Sequence, residues 1–265
     1  MDDNKTINTL LNAELPSSAD NALKNLTDKP TLSIGTTFSD LWDLVFGGIS
    51  YLSEKKRIEY AHKLELYRSE LEKSIEQIPP EKKTEPSIQI AAQALENSKY
   101  CVNEDELRQM FTALISNSMN TDFSQDIHPS FAEIIKQMSV LDAKIIQLFR
   151  KEGTIVIGLP VCQFCFNMGD PSSFSPLPEH IFLELPDVDF QLCSRSLSSL
   201  SRLGIVSISY TSRLTAPNTY EKFLTHPFYQ ELKEHLPEPI TLSITKGSVG
   251  LTPLGQSFIR VCVPN

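Results

Sequence analysis

The chain has 265 residues, 40% of them apolar and 22% charged, and its 24 basic against 33 acidic side chains leave a net charge of −9. That composition is ordinary for a globular protein with a real core, and the acidic excess is spread along the chain, which excludes a basic nucleic-acid surface in either half. Five cysteines at irregular spacing, Cys101, Cys162, Cys165, Cys193 and Cys262, exclude a regular disulfide framework and read as buried free thiols.

The opening MDDNKTINTLLNAEL has no basic leader followed by an apolar run, so the expected location is cytoplasmic, with peripheral membrane contact as the alternative. Residues 1–33 are polar and broken by Pro16 and Pro30, and they read as a flexible arm. From Ile34 the composition changes, and Phe38, Leu41, Trp42, Val45, Ile49 and Leu52 fall on one helical face. Gly47, Gly48, Asp40 and Asp43 make this segment unfit to span a bilayer. It either folds onto the protein's own core or docks on a partner or membrane surface, with Phe38, Leu41, Trp42, Val45 and Phe46 as anchors.

Residues 50–78 lack Pro and Gly, and Ala61, Leu64, Leu71, Ile75 and Ile78 fit alternating three- and four-residue steps with Arg68 as the exception. One long helix is predicted, offering an apolar stripe to the core or to a second copy of the chain. PPEKKTEP at 79–86 ends it, and a shorter helix follows over 87–99. Asn103 and Glu106 form a capping-box pattern for a helix carrying Leu107, Met110, Phe111, Leu114, Ile115 and Met119. His128-Pro129 opens another helix through Phe131, Ile134, Ile135 and Met138, and Ser139 with Asp142 starts a third that Gly153 stops. Short connections between these helices favour an antiparallel bundle over residues 34–138.

After Gly153 the periodicity changes. TIVIG at 154–158 reads as a strand, and a loop-rich stretch with Pro160, Pro171, Pro176 and Pro178 runs to Pro186. Asp187 or Asp189 caps a helix through Leu192, Leu197, Leu200 and Leu203 that stops at Gly204. IVSISY (205–210) and ITLSIT (240–245) alternate as strands around an insertion at 211–239, and a last helix begins at Thr252-Pro253. This order is that of a winged helix-turn-helix, so the predicted class is mainly α with small β: a helical bundle, then a winged-helix-like α+β domain over 139–265. The boundary falls at the His128, Pro129, Phe131 turn, which is expected to couple the two domains.

No constellation announces catalysis. The sequence contains no phosphate-binding loop, no dinucleotide glycine fingerprint and no HExxH, and His62, His128, His180, His226 and His235 are scattered. Cys162-Gln-Phe-Cys165 lacks a second pair at zinc-site spacing, so no metal and no cofactor is expected. The helix over 189–204 offers Arg195, Arg202 and Ser198 as candidate nucleic-acid contacts, with Ser194, Ser196, Ser199 and Ser201 nearby. Set against Glu184, Asp187 and Asp189, two arginines favour a protein partner over DNA.

Three runs carry a family resemblance: Asn103 to Phe111 with Leu114-Ile115-Ser116-Asn117, His128 to Lys144, and Leu251 to Cys262. His226-Pro227-Phe228-Tyr229 adds a fourth, and together they make the chain resemble the bacterial abortive-infection alpha family from about Trp42 onward. The resemblance implies a part in phage resistance and brings no catalytic residues, because its positions are packing and turn positions. The expected function is therefore non-enzymatic anti-phage defence through protein recognition or sensing. The alternatives are a winged-helix DNA-binding regulator and a membrane-acting effector using residues 38–52.

Overall fold

A computed structural model describes residues 41–46, 54–169 and 174–264, with backbone alone over 54–59. The expected arm over 1–33 and the expected anchor Phe38 lie outside the described residues. Residues 41–46 are helical, and α1 (Glu54–Glu76), α2 (Ile88–Ser98) and α3 (Asp105–Ser118) follow. Next come α4 (Phe131–Gln137) and α5 (Val140–Gln147). Ser139 and Asp142 form the reciprocal capping box written in the sequence, the Ser139 hydroxyl accepting the Asp142 N–H and the Asp142 carboxylate accepting the Ser139 N–H. The Asn103 box does not form: α3 starts one residue later, with Glu104 as an N-cap that makes no side-chain bond.

α3 is the centre of the helical layer, packed against α1, α2, α4 and α5. Its Met110, Phe111, Leu114 and Ile115 are fully buried, with Leu114 four residues after Met110 and Ile115 four after Phe111, so one stripe meets several neighbours. A polar tie supplements that packing. Arg108 of α3 is only 3% exposed, and its guanidinium donates to Glu70 of α1 at 3.0 Å, to Asp105 at 2.6 Å and to the Val102 carbonyl at 3.0 Å.

Gly153 does not stop a helix. α5 ends at Gln147, and Gly153, with φ of 76°, turns a small hairpin between β1 (Arg150–Lys151) and β2 (Thr154–Ile155). The stretch read as loop contains the ten-residue β3 (Gly158–Asn167), and β4 (Phe174–Pro176) pairs with it. The prolines conceal this strand: Pro160 sits within it, but its neighbours still pair with the partner strand. α6 (Phe190–Arg202), β5 (Val206–Ser209), α7 (Glu221–Leu224), α8 (Pro227–Glu234), β6 (Thr241–Leu251) and α9 (Pro253–Cys262) complete the chain. The fold is thus mixed α/β, with antiparallel sheets.

The larger sheet has strand order β4-β3-β6-β5. Side chains alternate along β3, so its two faces meet different partners. Val161 and Val249 point into the main core with Leu197, Leu200, Phe258 and Ile259 of α6 and α9. Cys162 and Phe164 point the other way, into a second core with Tyr220, Phe223 and Tyr229 of the β5–β6 connection. The insertion therefore folds back and covers the outer face of the sheet.

The main core runs without interruption from Leu41 to Val263 and takes in side chains from both sides of residue 139. α9 packs directly on α3, where the Asn117 amide donates to the Val261 carbonyl at 2.8 Å. Leu41, Trp42, Val45 and Phe46 belong to this core at 1%, 6%, 9% and 5% exposure. They are corrected from surface anchors to packing residues: Trp42 and Phe46 close on Tyr67 of α1, with ring centroids 5.4 and 6.3 Å away. Of the apolar stripe predicted over residues 50–78, Leu71 of α1 and Ile78 just beyond its end are likewise buried inside the chain.

Candidate functional site

α6 is held by its leucine face. Leu197 and Leu200 are fully buried, Asp189 caps the N-terminus by accepting the Gln191 N–H at 2.7 Å, and Gly204, with φ of 74°, ends the helix. Gln191, Leu192, Arg195, Ser198, Ser201 and Arg202 are left exposed. Gln191, Arg195, Ser198 and Arg202 step by four, three and four residues, so they form one line along the outside of the helix. The sequence reading found Arg195, Ser198 and Arg202, missed Gln191, whose place on the same line the spacing already contained, and put Leu192 on the leucine face, whereas the structure leaves it 42% exposed at the edge of the line.

The serines divide by burial. Ser194 and Ser196 are buried at 7% and 6% exposure, and the Ser194 hydroxyl accepts the His180 N–H at 2.9 Å. Ser198 donates to the Ser194 carbonyl at 3.0 Å. They are not a continuous row of phosphate donors. The acids set against the arginines are also engaged elsewhere: Asp189 caps the helix and Glu184 pairs with Lys222. Arg202 reaches the Gln137 side chain at the end of α4 at 3.3 Å, and Arg195 has no ion-pair partner among the described residues.

Behind this surface His180 and Tyr210 are joined, with Nδ1 and the hydroxyl 2.8 Å apart and the rings stacked at 6.0 Å. Burial holds the His180 ring below its ordinary pKa and raises the Tyr210 phenol. The pair ties the loop ahead of α6 to the end of β5. At the first residue of α6, Phe190 stacks on Phe228 of α8 at 4.9 Å and meets His226 edge-on at 5.7 Å.

The remaining polar candidates have local duties. His128 and Pro129 are exposed; His128 Nδ1 lies 2.7 Å from the Ser130 hydroxyl and accepts the Ser130 N–H at 3.2 Å, closing the turn into α4. Phe131 is fully buried against Phe258 of α9. The five cysteines are free and buried. Burial raises the Cys162 and Cys262 thiols and pushes Cys101 up to about 11, which disfavours the thiolate a nucleophile needs. Cys162 and Cys165, three residues apart on β3, fall on opposite faces of the sheet. Among the described residues no group of three His, Cys, Asp or Glu side chains is placed to hold a metal, and no helix is long and apolar enough to cross a membrane.

A family model described as abortive infection alpha matches residues 59–262, from α1 to the last residue of α9. The chain belongs to the abortive infection alpha family. No curated protein and no solved structure matches it. Within this abortive infection alpha chain the matched span contains α3, the His128 turn, the α6 line and the Thr252-Pro253 entry to α9. The family ties the chain to abortive-infection defence and phage resistance.

Proposed function

We propose that the chain is a non-enzymatic abortive-infection protein that recognises a protein of the host or the phage through the outer line of α6. The observation that carries this reading is the line itself. Gln191, Leu192, Arg195, Ser198 and Arg202 are exposed together on a helix whose opposite face is locked into the core. Strands β3, β6 and β5 lie in that antiparallel order, α5 packs on α6, and a long connection joins β5 to β6. A winged helix places its recognition helix in this way. The departure is the segment between α5 and α6, which runs as strands and loop with no helix among the described residues.

A 42% exposed Leu192 and only two cations on the line suit a protein surface better than phosphates, each of which wants its own positive charge. The test is capture from infected and uninfected cells with the wild-type chain, with Leu192→Asp and with Arg195→Glu, beside phage-protection assays of the same variants. A protein retained by the wild type and lost from both variants, together with loss of protection, is the expected result. Hydrolysis of nucleotide or nucleic acid by the purified chain, abolished by one substitution, would overturn the reading.

DNA is the second reading, favoured by the exposure of Arg195, Ser198 and Arg202 on one side of one helix. It requires salt-dependent retention on duplex DNA that Arg195→Ala and Arg202→Ala weaken together.

A further inference from the structure

Beyond β5 the chain leaves the sheet and arches to Tyr220 before re-entering a helix. Tyr220 pins the arch from below: its hydroxyl accepts the Leu214 N–H at 3.0 Å and donates to the Gly247 carbonyl of β6 at 2.7 Å. Asn218 turns the arch with φ of 61°, a left-handed conformation that asparagine adopts more readily than most residues. Between the arch, α7 and β6 lies a hollow of about 340 Å³, walled by Arg213, Leu214, Asn218, Tyr220, Leu224 and Lys246.

The charge of this hollow runs against that of the chain. Arg213 comes from the arch and Lys246 from β6, and neither has an ion-pair partner among the described residues, whereas neighbouring Lys222 is paired with Glu184. Lys246 lies 5.5 Å above the Tyr220 ring, which holds its ammonium over the floor of the hollow. Glu221 is the one acid in the lining. The side chains of Asn218 and Thr215 make no hydrogen bond within the described residues, so both remain available to a guest.

We propose that this hollow binds a small phosphate-bearing molecule of about mononucleotide size. Two cations from separate segments match a doubly charged group: the arginine fork takes two oxygens side by side and the lysine acts as a point charge. Thr215 and Asn218 supply neutral donors, and Leu214 and Leu224 give the organic part an apolar wall. The volume falls at the small end of the roughly 300–1,000 Å³ over which ligand pockets range. The proposal rests on the hollow alone and is independent of the reading of α6.

The same phosphate chemistry is offered by free compounds and by a nucleic-acid backbone, so the test has separate arms. The full chain is titrated calorimetrically with inorganic pyrophosphate, with AMP and with a short duplex DNA. Pyrophosphate or AMP is expected to bind saturably, and Arg213→Ala and Lys246→Ala each weaken it about tenfold, the loss typical of one hydrogen bond to a charged group. Glu221→Gln tightens binding and Lys151→Ala leaves it unchanged. All four side chains are exposed, and Arg213→Gln and Lys246→Gln repeat the test should either alanine variant melt early. The proposal fails if neither small anion binds saturably, if Arg213→Ala and Lys246→Ala bind as the wild type does, or if duplex DNA alone engages these residues.

Discussion

Phe131 and Phe258 meet edge-on, their ring centroids 5.2 Å apart and their planes at 88°. Phe131 opens α4 and Phe258 lies in the middle of α9, so this contact joins the first half of the chain to its last helix. Both side chains are fully buried. Around them Arg260 pairs with Asp126 at 2.6 Å and the Ser257 hydroxyl donates to Asp126 at 2.9 Å, so the joint is apolar inside and ionic at its rim.

Phe131→Ala is expected to cost about 3–5 kcal/mol, the usual loss for emptying a buried phenylalanine site. Because one core spans both halves, the loss should lower a single unfolding transition seen equally by helical and aromatic signals. A cycle with Phe258→Ala should return a coupling of about 0.5–1.5 kcal/mol. Two separate transitions, with only one of them shifted, would contradict a continuous core.

Arg108 gives a second test. Its guanidinium is buried, and Glu70, Asp105 and the Val102 carbonyl account for its donors. Glu70→Ala removes one partner and leaves the charge beneath the surface, so a loss of about 1–3 kcal/mol is expected. Arg108→Met, which takes away the charge itself, should rescue part of that loss in the double variant. Denaturant titration of the two single variants and the double variant decides it; strict additivity would rule out the pairing.

Much of this was legible because local chemistry and tertiary packing agree. Ser139 with Asp142, Asp189 before α6, and Thr252-Pro253 before α9 all cap the helices their spacing announced. β3 was hidden because Pro160 and an apolar run buried on both faces leave no period-two pattern, and the pairing that makes it a strand comes from β6, some eighty residues away. The Trp42 segment shows the complementary limit. Its periodicity marked an apolar face, yet only the position of Tyr67 decides that the face turns inward. In α6 the cations were visible in the sequence, whereas the division of the serines into buried and exposed depended on the orientation of the helix. The hollow beside Tyr220 left no sequence signal, since Arg213 and Lys246 are brought together only by the pairing of β5 with β6.

Gly255 explains why the last helix begins Thr-Pro-Leu-Gly. A Cβ at that position would lie 2.0 Å from the Ile205 carbonyl oxygen, which already accepts the Thr252 N–H at 3.1 Å. The glycine lets α9 rest directly on the backbone that links α6 to β5. Gly255→Ala should cost about 1–3 kcal/mol or more by forcing that backbone aside. Gly153→Ala meets no atom within 4 Å and bears only the strain of its φ of 76°, so about 1 kcal/mol is expected there. Thermal melts of the two variants should therefore rank Gly255→Ala as clearly the more damaging.

His180 sets an acid limit. Burial holds its folded pKa below the ordinary 6.5, so the unfolded chain takes up a proton that the native ring resists. The group therefore contributes stability above the unfolded value, and that contribution declines as the pH falls below about 6.5 and is gone once the pH is under the folded value. Burial lowers His226 as well, while Asp105 and Asp126, held down by Arg108 and Arg260, act only below the usual carboxylate range. Between about pH 7 and about pH 5 the slope belongs chiefly to the two histidines. His180→Gln should flatten the fall in denaturation free energy over that interval, and the ring resonance of His180 in the wild type should titrate below 6.5. A His180 resonance titrating above that value would reverse the sign of the effect, and with it the inference that burial disfavours the charged ring.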